Sequence, residues 1–394
     1  MHTLADLDVR GKRVLVREDL NVPMSAGSIA DYTRVDAAIP TLRNLIERGA
    51  RVIVASHLGR PDGAPNPKYS LAPVARALSE RLHEPVIFVH DCVGPIAEEA
   101  ADALRDGSVL LLENVRFHKE ETQNDPAFAK KLAGLADIYV NDAFGSAHRA
   151  HASTEGVAHL LPNAAGFCME AELEALARLT KTPEHPYVCA IGGAKIKDKV
   201  GVFTFLMKIV DAFCVGGGMA NTLLAASGVN VGRSLCDDDL GPAKQILALA
   251  NAHTIDLHHP VDAVVSSAFD ADGDAHVVDI EEVGNEMILD IGPKTAAAYA
   301  QILNRARTIV FNGPMGVYEK PAYQSGTRAV GAAIASATKS GATSVVGGGD
   351  AAAAAHMLGF AADMTHVSTG GGATLEFLEG RTLPGVAALQ RTGS

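Results

Sequence analysis

Short β-branched runs alternate with amphipathic stretches from one end of this sequence to the other, and that alternation leaves few folds open. A strand, a helix and a second strand make the βα unit, whose strands lie parallel and whose helices cover the sheet. The fold class predicted on this ground is α/β. In the first half the strand candidates are Arg13–Arg17, Arg51–Ser56, Pro85–Val89, Ser108–Leu112 and Asp137–Val140. In the second they are Tyr187–Ile191, Ala212–Val215, Ala263–Ser266, Met287–Asp290, Thr308–Phe311, Ser344–Val346 and His366–Ser368. Between the first two strands, Val35, Ala38, Ile39, Leu42, Leu45 and Ile46 recur at helical spacing, predicting a helix over Arg34–Arg48. Thr33 is its expected N-cap, with Asp36 three residues on.

At 394 residues the chain is too long for one ordinary domain. Glu170–Leu179 reads as a strong helix, and the breaker-rich stretch Thr180–Pro186 follows it, so the boundary is placed there. Ala351–Ala355 reads as a helix rather than a disordered tract, and Asp270–Asp274 as a solvated acidic turn without the further ligands of a calcium loop.

Acidic residues outnumber basic ones by 46 to 34, a formal charge of −12 shared evenly between the halves. A nucleic-acid partner needs a surplus of phosphate-neutralising cations, so none is expected. No run of about 18 apolar residues exists and the N-terminus lacks a signal peptide's apolar region, so no membrane partner is expected. Five cysteines form no CxxC pair and are odd in number, which fits a reducing cytoplasm and mostly inert core thiols.

Ligands of open α/β sheets bind at the carboxyl ends of the strands. In the first half those positions carry Arg17, Asp19, Asn21, His57, Arg60, Arg116, His148 and Arg149, and Arg34 stands at the start of the first long helix. Guanidinium forks bind phosphate and carboxylate oxygens bidentately, so this convergence predicts an anion site. His148 and His151 stand three apart, but no nearby Cys or carboxylate completes a zinc set. In the second half nearly every strand ends in glycine: Gly192–Gly193, Gly216–Gly218, Gly292, Gly313 and Gly316, Gly347–Gly349, and Gly370–Gly372. Six such loops predict a nucleotide site built from backbone amides and helix N-termini, with Lys195 and Lys199 as side-chain cations and Asp350 as a carboxylate suited to phosphate-bound Mg²⁺. If a helix begins at Lys195, Lys195 and Lys199 share its face. A Walker loop is absent, and Gly347-x-Gly349-x-x-Ala352 is only a loose dinucleotide fingerprint.

Taken in order, VLVREDLNVP, SHLGRPDG, LLENVRFHKEE, VNDAFGSAHRAH, GGAKIKDKV, GGGMANT, FNGPMGVYE, GGGD and VSTGGGA resemble the motifs of the phosphoglycerate kinases of bacterial length. The resemblance runs from Val14 to Val386. It implies two Rossmann-like three-layer α/β/α domains joined by a helical hinge. Residues 1–172 with about 377–394 would bind phosphoglycerate, and 173–376 the nucleotide. Leu383–Val386 matches a tail that returns to the first domain. The implied substrate contacts are Asp19, Asn21, Arg34, His57, Arg60, Arg116 and Arg149. The implied nucleotide contacts are Lys195, Lys199, Gly292, Glu319 and Gly348, Gly349, Asp350 and Ala351, with Asp350 holding Mg²⁺. Leu20 stands where many members have Phe, and Ala351 where many have a hydroxyl residue, so a backbone N–H acts there alone.

The implied reaction is reversible phosphoryl transfer between 1,3-bisphosphoglycerate and MgADP by a cytoplasmic monomer. Its carboxylate nucleophile is already ionised at pH 7, so the chemistry needs no general base, only alignment and charge neutralisation. Arg34 and Lys199 are the expected catalytic cations, and the amides of Gly371 and Gly372 are expected to assist them. The weaker readings are an NAD-type dehydrogenase and a non-enzymatic nucleotide-binding scaffold.

Overall fold

The structure is a computed structural model that describes residues 1–389, apart from the side chain of Asp272. It divides into two compact units, one of Met1–Leu173 with residues 382–389, the other Glu174–Arg381. The first division falls inside the helix Phe167–Thr180, so one continuous helix carries the chain from unit to unit. The second falls five residues beyond the expected 376, and residues 390–394 of the expected C-terminal return lie outside the described residues.

In unit 1 the strands are β1 (Arg13–Arg17), β2 (Met24–Ser25), β3 (Ser28–Ile29), β4 (Arg51–Ala55), β5 (Val86–Phe88), β6 (Val109–Leu111), β7 (Ile138–Asn141) and β8 (Asn163–Ala165). Six of them form one parallel sheet in the order β5-β6-β4-β1-β7-β8, and β2 and β3 make a small hairpin. Val14, Val16, Val52, Val54, Val109, Leu111 and Val140 face one side and pack on Val35, Leu42 and Leu45 of the helix Thr33–Glu47 and on Val74 and Leu78 of Ala72–Leu82. The intervening Leu15, Ile53, Leu110 and Tyr139 are equally buried, so both sheet faces are covered. That explains why these strands are continuous apolar runs rather than alternating ones.

Unit 2 holds β9 (Tyr187–Ile191), β10 (Ala212–Val215), β11 (Asp256–His258), β12 (Asp262–Ser266), β13 (His276–Asp279), β14 (Met287–Ile291), β15 (Thr308–Asn312), β16 (Thr343–Val346) and β17 (His366–Val367). Its parallel sheet runs β11-β10-β9-β15-β16-β17. β12, β13 and β14 stand apart as an antiparallel sheet. Among the described residues no helix is long and apolar enough to cross a membrane.

Two local expectations are corrected. Thr33 is the first helical residue rather than the cap; Asp31 Oδ1 accepts from both its N–H and its hydroxyl, at 2.7 and 2.6 Å. No helix starts at Lys195: it precedes a 3₁₀ turn, Ile196–Lys199, and the α-helix begins at Val200, so Lys195 and Lys199 do not share a helical face.

Candidate active site

Both parallel sheets have a strand in the middle from which the chain first builds outward on one side and then crosses to the other. In unit 1 that reversal lies between β1 and β7, and in unit 2 between β9 and β15. Loops leaving the carboxyl ends of such strand pairs diverge and leave a crevice.

The unit 1 crevice collects cations. Arg17 ends β1, His57 lies two residues past β4, Arg116 follows β6, and Arg149 follows β7. Arg34 Nη1 pairs with Asp19 Oδ1 at 2.5 Å. The same carboxylate oxygen accepts from Asn21 N–H at 3.3 Å, while Asn21 Oδ1 accepts from Gly59 N–H at 2.8 Å. Arg116 Nη1 donates to Gly59 O at 3.0 Å, and its Nε is buried without a hydrogen-bond partner. Arg60 and Arg149 are exposed. Mutual proximity shows in the electrostatics. Burial first, then Arg17, with Arg60 among the lesser causes, lowers Arg116 to about 10. Burial, then Arg116, Arg17, Arg149 and His148 lower His151 to about 4. The structure thus brings Asp19, Asn21, Arg34, His57, Arg60, Arg116 and Arg149 to one edge of one sheet.

Sequence reasoning placed Arg17 among the strand-end groups of the anion site but missed its burial and the layer behind it. Arg17 is wholly buried, and its guanidinium donates to Ser153 Oγ at 2.8 Å and to Glu18 O. Ser153 Oγ in turn donates to buried Glu121 at 2.6 Å. Arg17 Nη2 also lies 3.1 Å from His57 Nδ1. Guanidinium has donors only, so Nδ1 must accept, which puts the ring proton on Nε2. Burial first, then Arg17, Arg116, Arg34 and His151 hold His57 well below the usual histidine range. His57 is therefore a neutral donor in a cationic crevice. The signal available in the sequence was an arginine directly after the apolar run Val14–Val16.

The unit 2 crevice is built differently. A cavity of about 430 Å³ is walled by Leu235, Ile288, Leu289, Met315 and Val317, with Glu319 and Asp350 at its polar side. Lys199 Nζ donates to Gly192 O and Asn312 O, both at 2.7 Å, which places the ammonium between the ends of β9 and β15. Burial lowers it to about 8, with Cys189, Asp350 and Asp198 opposing, so it stays mainly protonated at pH 7. Lys195 is exposed, and Gly292 is not on the cavity wall although Asp290 and Ile291 are.

The glycines divide into two kinds. A Cβ on Gly192 would lie 2.0 Å from Pro314 O, and one on Gly292 would lie 2.2 Å from the Asp262 carboxyl carbon, so these residues let loops pack on the protein itself. At Gly349 and Gly371 a Cβ would meet nothing within 4 Å, which is the open space an approaching anion requires. Gly348, with φ +99°, precedes the helix Gly349–Met357, and Asp350 and the buried Ala351 lie in its first turn, where amides lack intrahelical acceptors. Gly371 and Gly372 open the helix Gly372–Leu378 in the same way. The loose Gly347 fingerprint lies after β16, not in the first βα turn of the unit, which removes the ground for a dehydrogenase reading.

The comparisons with known proteins fit this arrangement. Residues 4–381 match the family model of phosphoglycerate kinase. The phosphoglycerate kinase of Moorella thermoacetica is 54% identical over 389 residues, 98% of each chain. That of Chloroflexus aurantiacus is 53% identical over 393 residues, again 98% of each. Among solved structures, phosphoglycerate kinase from Coxiella burnetii superposes with a TM-score of 0.89 at 44% identity, covering 98% of both chains. The Pyrococcus horikoshii enzyme does so at 0.85 and 36% identity, covering 99% of this chain and 98% of its own. With two α/β units, a cationic crevice in one and an apolar slot beside glycine loops in the other, matched over nearly its whole length, this chain belongs to the phosphoglycerate kinase family.

Proposed function

We propose that this glycolytic kinase runs reversible phosphoryl transfer between 1,3-bisphosphoglycerate and ADP from two half-sites. Phosphoglycerate is held in the unit 1 crevice by Arg34, Arg60, Arg116 and Arg149 with Asp19, Asn21 and His57. The nucleotide lies in the unit 2 slot, its base against the apolar wall near Gly292, its ribose at Glu319, and its phosphates toward Lys195, Lys199 and the amides of Gly348–Ala351. The observation that carries this reading is the contrast between the crevices: one supplies standing positive charge, the other an apolar wall with open backbone amides.

The residues present fit Mg²⁺. Asp350 offers one exposed carboxylate on the slot wall, and Mg²⁺ takes one or two carboxylates and fills its remaining positions with phosphate oxygens and water. Bound there, the ion would neutralise charge on the nucleotide phosphates.

No proton has to be removed from a carboxylate nucleophile, so the residues' work is alignment and stabilisation of charge on the moving phosphoryl group. Arg34 serves this from the phosphoglycerate side. Lys199 serves it from the nucleotide side, exchanging a carbonyl for a phosphoryl oxygen, with the amides of Gly371 and Gly372 as further donors. Because the two groups belong to different units, transfer requires the ligands to be brought into line by domain closure, which also excludes water from the acyl phosphate. The helix Phe167–Thr180 is the proposed hinge. Five free thiols fit a cytoplasmic protein, and we take it to act as a monomer.

A coupled assay with 3-phosphoglycerate and MgATP tests the activity, and small-angle scattering tests closure. Turnover and compaction with both ligands together are expected. Absence of turnover refutes the reaction, and unchanged scattering refutes closure.

A further inference from the structure

Beside the unit 1 crevice, the loops after β5 and β6 bring together three side chains that the phosphoryl transfer does not use. β5 and β6 are parallel neighbours, so both loops leave the same edge of the unit 1 sheet. Asp91 and Cys92 come from the first. His118 comes from the second, where it ends a 3₁₀ turn and begins the short helix Lys119–Thr122. The Asp91 carboxylate, the Cys92 thiol and a His118 ring nitrogen all lie within 4.8 Å of one another.

We propose that Asp91, Cys92 and His118 form a binding site for a zinc-like divalent cation. A four-coordinate zinc ion with bonds of about 2.0–2.3 Å sets its ligand atoms roughly 3.3–3.7 Å apart. The observed spacing therefore needs only side-chain adjustments of about an ångström. His118 Nε2 and Asp91 Oδ1 are 2.8 Å apart and share a proton, the position a cation takes over when such a pair becomes a ligand pair. Phe128 packs against the His118 ring, the two planes tilted by 34° with centroids 5.2 Å apart. Asp91 Oδ1 also accepts from Cys92 N–H at 2.7 Å, which ties the carboxylate to the backbone that presents the thiol.

The donor set decides which ion. One sulfur, one imidazole nitrogen and one carboxylate oxygen suit Zn²⁺ or Co²⁺, whereas Mg²⁺ and Ca²⁺ prefer oxygen alone. The site is thereby chemically separate from the nucleotide's metal. Asp91 and His118 also line a cavity of about 580 Å³ with His90 and Glu113, which leaves room for a water as a fourth ligand. Glu113 is committed elsewhere, accepting from Ser70 Oγ and from the Leu71 and Asn114 amides at 2.7–2.8 Å. The Cys92 thiol is buried, so the ion enters past Asp91 and His118, whose side chains are partly exposed.

The test is a Co²⁺ titration of the full-length, chelator-stripped protein followed in the near ultraviolet and visible. A thiolate-to-cobalt charge-transfer band saturating at one equivalent is expected, together with the intense d–d bands of a four-coordinate ion. Zn²⁺ should displace the signal and excess Mg²⁺ should not. Cys92→Ala should abolish the charge-transfer band, Cys236→Ala should leave it, and His118→Gln and Asp91→Asn should each weaken binding at least about 10-fold. His118→Gln changes a partly exposed ring and keeps the test decisive if Cys92→Ala fails to fold, with circular dichroism matching variant to parent. A missing band at one equivalent, a band that survives Cys92→Ala, or binding unaffected by His118→Gln would overturn the site.

Discussion

His57 offers the sharpest test of how the cationic crevice works, because burial and the Arg17 contact both act on its protonation state. With Arg17 Nη2 at 3.1 Å from Nδ1, protonating Nδ1 would set two donors against each other. Two like charges this close repel each other, so the guanidinium disfavours the protonated ring. Burial acts in the same direction and is the larger cause. His57 should therefore stay neutral, with its proton on Nε2, throughout pH 5–8. It would then offer phosphoglycerate a hydrogen bond and no charge.

The perturbation is His57→Gln against His57→Ala. Glutamine keeps an N–H donor on a neutral side chain and should retain most of the affinity. Alanine removes a hydrogen bond to a charged ligand, worth about 1.5–3 kcal/mol, and should raise the 3-phosphoglycerate Kd about 10- to 150-fold. Calorimetric Kd values from pH 5 to 8 should change in parallel for parent and His57→Gln, since the ligand's own titration is common to both. Long-range ¹⁵N–¹H spectra, assigned by loss of one ring in His57→Gln, report the tautomer directly. A parent ring titrating near pH 6.5, a proton on Nδ1, or an affinity gain at low pH that His57→Gln lacks would refute the reasoning. Linkage gives a second readout. The unfolded histidine binds a proton below pH 6.5 and the folded one does not, so this group's contribution to stability falls as pH falls through that range.

Three further outcomes follow from the geometry. Arg34→Ala should lower kcat by on the order of 100-fold or more, as loss of a charge partner of the transferred group does; an unchanged kcat in the coupled assay removes Arg34 from that role. Gly313→Ala introduces a Cβ 2.3 Å from Gly192 O and 2.8 Å from Lys199 Nζ at φ +109°, so it should destabilise unit 2 by about 2–4 kcal/mol, read from its denaturant midpoint, and displace Lys199. Asp290, buried and raised to about 7 chiefly by desolvation, holds a proton that the unfolded chain releases near pH 4. Its contribution is therefore greatest at low pH and is lost as pH rises to 7, roughly 2 kcal/mol between pH 5 and 7, a slope that Asp290→Asn should flatten in thermal unfolding of unit 2.

The long strands were legible because sheets covered on both faces demand uninterrupted apolar runs, and β1, β4, β9 and β15 are such runs. β8, β11 and β13 escaped for the complementary reason. Asn163–Ala165 has no β-branched residue, Asp256–His258 is short and polar, and His276–Asp279 is largely exposed at the edge of the antiparallel sheet. The arginines of the crevice were legible as residues just past strand ends. The layer that positions them was not, since Glu121 and Ser153 are distant in sequence from Arg17 and meet it only through folding. The Asp91, Cys92 and His118 cluster was invisible on the same ground: its ligands come from two loops that only the β5–β6 pairing brings together. Glycine was over-read, because a glycine closing a loop on protein backbone and one open to a ligand look alike in sequence.

The shared topology gives a reason why the two crevices would bind anions differently. Both units reverse strand order beside their central strand and place a cation there, Arg17 in one and Lys199 in the other. Arginine cannot shed its proton, so a buried guanidinium commits its surroundings to compensation: Glu121 behind it, an accepting His57 beside it, and a neighbouring Arg116 lowered in turn. That commitment suits a small polyanion engaged over much of its surface. Lysine, lowered to about 8 and held by two carbonyls, keeps its charge locally matched until a stronger acceptor arrives. The remaining donors of unit 2 are amides, which need no counter-charge between turnovers. An acidic protein therefore keeps its standing positive charge in one crevice and draws the rest from dipoles, a division expected to make phosphoglycerate affinity fall more steeply with added salt than affinity for the nucleoside portion of ADP.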